Sequence, residues 1–137
     1  MDYRNHINEG SMLNTPPVFA VYVCLLTLRW LKALGGVKVI EQKNIEKAAL
    51  LYQEIDNNPL FTGTAVTEDR SKMNVCFVMN NPDLENDFLN FSKSREIVGI
   101  KWHRLVGGFR ASLYNALPLS SVEVLVKTMQ DFAKIYA

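Results

Sequence analysis

An α+β fold, with a small and mostly antiparallel sheet packed against helices, is what this sequence predicts. Three observations predict it. The 137 residues are 48% hydrophobic and 21% charged, the make-up of one ordinary folded domain with a real core. Apolar residues switch between a helical and a two-residue period along the chain, which gives the order helix, helix, strand, helix, strand, strand, helix. No internal repeat and no linker interrupts that order.

The elements follow in turn. Residues 1–13 are polar, with a Glu9-Gly10-Ser11 turn signal, and read as a lead-in segment. Asn14-Thr15-Pro16-Pro17 offers cap-type side chains and then prolines, which a first helical turn tolerates, so a helix starts near Pro17. From Val18 to Leu34 nearly every position is apolar, which predicts a helix buried on most of its circumference, with Arg29 and Lys32 on a narrow wet side. Gly35-Gly36 stops it. Between Val37 and Asp56 the residues Val39, Ile40, Ile45, Ala48, Ala49, Leu51, Tyr52 and Ile55 recur at near-helical spacing, with Glu41, Lys43, Glu46, Lys47 and Glu54 between them. Asn57-Asn58-Pro59 ends this amphipathic helix.

Leu60-Phe61 reads as a short strand, and Lys72 to Met79 as a longer one with Met73, Val75, Phe77 and Met79 on one face. Asn80-Asn81-Pro82-Asp83 is a turn and cap, after which Leu84, Phe88, Leu89, Phe91 and Ile97 carry a third helix to about Val98. Gly99 to Trp102 and Phe109 to Tyr114 form a hairpin around a loop with a double glycine. Val122, Leu125, Val126, Met129, Phe132 and Ile135 make a closing helix.

Charge narrows the functions. Fifteen basic and fourteen acidic side chains leave a formal charge of +1, so no long-range field favours nucleic acid or an anionic membrane. The apolar run from Val18 is interrupted by Thr27, Arg29 and Lys32 before about 18 uncharged residues accumulate, which argues against a membrane span. The first ten residues, MDYRNHINEG, are wrong for a signal or transit peptide, so a cytoplasmic location is expected. Cys24 and Cys76 both sit in apolar runs and read as buried thiols of a reducing compartment. Two cysteines with His6 and His103 do not make metal-ligand spacing, so no metal site is expected.

Three places could carry chemistry. His103, Arg104 and Arg110 put an imidazole and two guanidiniums into a hairpin whose turn contains Gly107 and Gly108. Such donors suit phosphate or carboxylate oxygens, and glycines let backbone approach an anion; solvent-facing hairpin charges are the bland alternative. Asn14 and Thr15, beside a helix start, could bind an anion at the positive end of the helix dipole, or could simply cap the helix. Lys43, between Gln42 and Asn44, looks like the lysine of some pyridoxal enzymes, yet it lies on the wet face of its helix where nothing desolvates the amine. It is set aside.

Four pieces, read in order, resemble the phosphoserine aminotransferases: residues 10–19, GSMLNTPPVF; Trp30-Leu31-Lys32 with Gly35-Gly36-Val37; residues 70–77, RSKMNVCF; and residues 103–118, HRLVGGFRASLYNALP. Small departures occur at Lys72, Trp102 and Phe109. The resemblance implies the C-terminal small domain of a fold-type I pyridoxal phosphate enzyme, with residues 1–16 as a lead-in and cofactor-phosphate loop and 17–137 as the small domain. It implies a homodimeric, cytoplasmic aminotransferase of serine biosynthesis that moves an amino group from glutamate to 3-phosphohydroxypyruvate. By resemblance, His103 and Arg104 hold the substrate phosphate, Arg110 clamps the α-carboxylate, and Asn14 and Thr15 reach the cofactor phosphate of the other subunit. The lysine that carries pyridoxal phosphate belongs to the family's large domain and lies in none of these residues. The resemblance therefore implies a chain that is inactive and binds no cofactor tightly by itself, with the large domain, a second subunit and a small phosphorylated amino or keto acid as partners. A non-catalytic phosphate-binding module and a protein-interaction domain using the apolar first helix are the alternatives.

Overall fold

The structure, a computed structural model, describes residues 2–102 and 107–136. These divide into two units, Met1–Lys38 and Val39–Ala137. In the first, α1 (Tyr3–Asn8) begins at Asp2, whose carboxylate accepts from the Arg4 backbone N–H. A short helix thus stands in the segment the sequence marks only as a lead-in. α2 (Val18–Ala33) follows Pro17, as the proline pair predicts. It ends where expected: Gly36 N donates to Leu31 O and Gly35 N to Lys32 O, with both glycines at positive φ.

The expectation that this helix is buried on most of its circumference does not hold. No residue of α2 is buried, and Phe19 is 81% exposed. Its apolar circumference exceeds what α1 and the joining turns of its own unit can cover. Cys24, expected inside, is exposed for the same reason, while Cys76 is half-buried; both are free thiols.

α3 (Val37–Asn57) has its first two residues in the first unit and the rest in the second, which continues through β1 (Phe61–Gly63), β2 (Asn74–Met79), α4 (Glu85–Lys93), β3 (Phe109–Ser112) and α5 (Leu119–Tyr136). Among the described residues the strands form one antiparallel sheet in the order β1-β2-β3, with Phe77 opposite both Gly63 and Phe109. Period-two alternation works as predicted in β2: Val75, Phe77 and Met79 are buried while Asn74 is exposed. Ala48, Leu51 and Ile55 of α3, Phe88 of α4, and Val122, Leu125, Val126, Met129 and Phe132 of α5 meet that face in one cluster. Phe88 is its centre. Its ring packs at 5.0 Å from Phe61 and 5.2 Å from both Phe109 and Phe132, each edge to face. Such pairs add about 0.5–1.5 kcal/mol each beyond the area they bury.

β2 and β3 are each two residues shorter than the sequence reading, starting at Asn74 and ending at Ser112, and two larger differences stand beside them. The third predicted helix ends at Lys93 rather than near Val98. Ile97 N donates to Ser92 O and Glu96 N to Lys93 O, a helix-terminating pair that requires Glu96 at φ 63°. The strand predicted from Gly99 to Trp102 reduces to one bridge, Lys101 with Phe109, flanked by Arg110 N to Ile100 O at 2.8 Å and Trp102 N to Gly108 O at 3.0 Å. The hairpin is present, with a shorter first leg.

Candidate functional site

Arg110 rises from β3 between buried Phe109 and Ala111, so strand alternation drives its neighbours into the core and leaves its own side chain exposed. It pairs across the sheet with Cys76. Burial pushes the Cys76 thiol pKa up, and the Arg110 charge acts against that shift. The two glycines before it have φ 72° and 68°. Gly108 lies directly against β2: a Cβ there would stand 2.7 Å from the Phe77 carbonyl oxygen, so only glycine lets the loop leave the sheet at this point. A cavity of about 440 Å³ adjoins the strand, lined by Arg110, Arg95, Ile97, Ile100, Ser112 and Leu125 among others.

His103 and Arg104, the other two members of the predicted cluster, lie outside the described residues, as does the rest of 103–106. Trp102 and Gly107, which flank that segment, are described, and Trp102 is tied to Gly108 by its backbone. Asn14 and Thr15 are exposed in the first unit. No side chain caps α2, so the capping role open to them from sequence is not the one they take. Lys43 is exposed, as its place on the wet face of α3 predicts. Among the described residues, no group of three or more His, Cys, Asp or Glu side chains is placed to hold a metal. No single helix among them is long and apolar enough to cross a membrane.

Sequence reasoning missed a polar grip beneath the Arg110 strand. Lys47 of α3 is only 2% exposed, and its Nζ donates to the carbonyls of Leu113 (3.3 Å), Tyr114 (2.7 Å) and Leu117 (3.1 Å). Burial is the main cause that lowers its pKa, helped by the charge of Lys43. One turn earlier, Asn44 Nδ2 donates to Asn115 Oδ1 at 2.8 Å. An ammonium has three donors, and here three carbonyls meet them. Its proton is fully engaged, so Lys47 is no candidate for the cofactor lysine either. Arg70, in one of the quoted motif pieces, is likewise committed: it makes a two-pronged pair with Asp56 at 2.7 Å per bond and lies 4.5 Å over the Tyr52 ring. That guanidinium holds the Asp56 carboxyl below its ordinary range.

Comparison with known proteins gives the family. A model described as aminotransferase class-V matches residues 2–125. The chain belongs to the class-V aminotransferases. Within that family, the phosphoserine aminotransferase of Bacteroides thetaiotaomicron is 58% identical over 138 residues, which take in 99% of this chain and 39% of that protein. The structure of phosphoserine aminotransferase from Bacillus circulans subsp. alkalophilus matches with a TM-score of 0.89 at 38% identity, over 98% of this chain and 38% of its own. A phosphoserine aminotransferase from Trichomonas vaginalis with pyridoxal phosphate bound matches with a TM-score of 0.82 at 38% identity, over 94% and 37%. The chain spans about two fifths of the length of the relatives it matches. The fold is that of the corresponding part of these class-V enzymes, an α+β arrangement with a small antiparallel sheet.

Proposed function

We infer that this chain is the substrate-recognising small domain of a phosphoserine aminotransferase, residues 17–137, preceded by a lead-in and cofactor-phosphate loop, residues 1–16. The observation that carries it is Arg110: an exposed guanidinium on a rigid strand, two residues after a glycine that touches the sheet, in a chain matched by phosphoserine aminotransferases over 99% of its length. In this reading Arg110 forms two parallel hydrogen bonds with the α-carboxylate, and His103 and Arg104 hold the substrate phosphate. Fixed cations in one small site select a doubly anionic keto acid over a neutral one, because a neutral rival leaves them desolvated and unpaired.

Pyridoxal phosphate, when bound, supplies the electron sink through which the amino group passes from glutamate to 3-phosphohydroxypyruvate. On this chain Asn14 and Thr15 fit its phosphate: both are exposed polar residues ahead of α2, whose first turn no side chain caps. They serve the cofactor of the second subunit in a homodimer. The carrier lysine comes from the remainder of a longer polypeptide, a reading supported by the chain's spanning about two fifths of its relatives' length. The exposed apolar surface of α2 suits it to contact with that remainder or with the second subunit. The enzyme works in the cytoplasm, in serine biosynthesis, and this chain alone is inactive.

The test is kinetic. In an aminotransferase assembled from this chain and a cofactor-bearing large domain, Arg110→Met raises KM for phosphoserine by about 100-fold, the scale of a lost charged hydrogen-bond pair. The chain alone, given pyridoxal phosphate, phosphoserine and 2-oxoglutarate, shows no turnover. An unchanged KM, or turnover by the chain alone at the rate of an intact enzyme, refutes the reading.

A further inference from the structure

We propose that Lys47, together with Asn44 one turn before it, is a positioning residue for Arg110; this rests on the reading of Arg110 as the carboxylate-binding group. The argument begins with what holds β3 in place. At its start, Gly108 is pressed against the β2 backbone, two residues before Arg110. At its end, Leu113 N donates to Met73 O at 2.7 Å, and the chain then leaves the sheet through Tyr114–Leu117 to reach α5. Backbone carbonyls in that turn face inward and need donors. Lys47 supplies three of them, at Leu113, Tyr114 and Leu117, and Asn44 binds the Asn115 side chain. Arg110 therefore stands between two anchors, one two residues behind it and one that starts three residues ahead, at Leu113, and ends seven ahead, at Leu117.

Packing alone does not call for this arrangement. A buried ammonium is costly to desolvate, and an apolar side chain in the same place would avoid that cost only by leaving the carbonyls of Leu113, Tyr114 and Leu117 without this donor. What the ammonium adds is direction: three hydrogen bonds fix the turn relative to α3 in distance and angle, which apolar contact does not. A carboxylate clamp needs that definition, because a displacement of about 1 Å remote from the chemistry can cost on the order of 100-fold. Lys43, one turn earlier on the same helix, is exposed.

The experiment is a double-mutant cycle in the aminotransferase holoenzyme containing this chain, with phosphoserine and 2-oxoglutarate as substrates. Lys47→Met keeps the length of the side chain and removes its donors. It is expected to raise KM for phosphoserine by about 10-fold or more with kcat within about 2-fold, since ground-state positioning is what it loses. In the Arg110→Met background the same substitution is expected to change KM by less than about 2-fold, because two residues that act through one contact are not additive. An unchanged KM in folded Lys47→Met enzyme overturns the proposal, and so does an equal KM rise in both backgrounds. If Arg110→Met alone leaves KM unchanged, the reading of Arg110 is what fails, and the proposal falls with it. Should Lys47→Met not fold, Asn44→Ala goes through the same cycle: a KM rise that disappears in the Arg110→Met background supports the grip, and an unchanged KM overturns it.

Discussion

Gly107 and Gly108 share one backbone conformation but not one environment, so alanine at each position separates conformational strain from close approach. Their φ values are 72° and 68°, in the left-handed region. An alanine held there costs roughly 1–2 kcal/mol against its preferred conformations. That cost applies to both, as does the small gain from stiffening the unfolded chain. The surroundings differ. A Cβ on Gly107 meets nothing within 4 Å, whereas one on Gly108 falls 2.7 Å from Phe77 O, 2.8 Å from Val78 Cγ1 and 3.4 Å from Val78 Cα. Two of those three atoms are backbone of the central strand, paired on both sides, and cannot yield without loosening β1 and β3. Overpacking of this kind adds about 1–3 kcal/mol. Gly107→Ala is therefore expected to destabilise the chain by about 1–2 kcal/mol and Gly108→Ala by about 2–5 kcal/mol. Urea unfolding followed by circular dichroism, with equal m-values for all three proteins, measures the difference. If Gly108→Ala falls within about 0.5 kcal/mol of Gly107→Ala, a difference at the limit of independent surface effects, the close approach is not holding the strand and the reasoning fails.

Two further outcomes follow from the same unit. Phe88→Ala removes a fully buried ring that touches Phe61, Phe109 and Phe132, and should cost about 3–5 kcal/mol by denaturant unfolding; a loss below 1 kcal/mol, far under the usual cavity penalty, would contradict its central place. Asp131 accepts from Lys127, Lys134 and Arg95 at 3.0, 3.0 and 2.9 Å, and these partners hold its pKa well below the ordinary 3.8. A carboxyl depressed in the folded state contributes stability that is whole above the unfolded value and is lost as pH falls below it toward the folded value. The stability gap between the native chain and Asp131→Asn should thus be wider at about pH 6 than at about pH 3, and a gap independent of pH would rule the ion cluster out as its source.

Much of the second unit could be read from periodicity. The apolar residues named for the closing helix are buried in α5, except Ile135, which sits at the exposed end. β2 carries the alternation that placed Val75 and Phe77. Local pattern fails where the deciding partner is remote or the conformation is atypical. Lys47 looks like any wet lysine of an amphipathic helix, because the carbonyls that bury it come from 66 to 70 residues further on. The end of α4 hides behind Glu96, which takes a left-handed conformation that glycine would have announced. α2 reads as a core helix by composition, but composition says only that apolar surface wants cover, not that the same unit provides it. Of the candidate site, His103, Arg104 and Arg110 are singled out by the basic hairpin with its double glycine, and Asn14 and Thr15 by the helix start; the role expected of each comes from resemblance.

The pleat of β3 has an evolutionary consequence. Phe109 and Ala111 face inward while Arg110 faces out, so a substitution at position 110 meets none of the packing that constrains its two neighbours. Change at the surface position and constancy of the scaffold can then proceed on alternate residues of one strand, each nearly blind to the other.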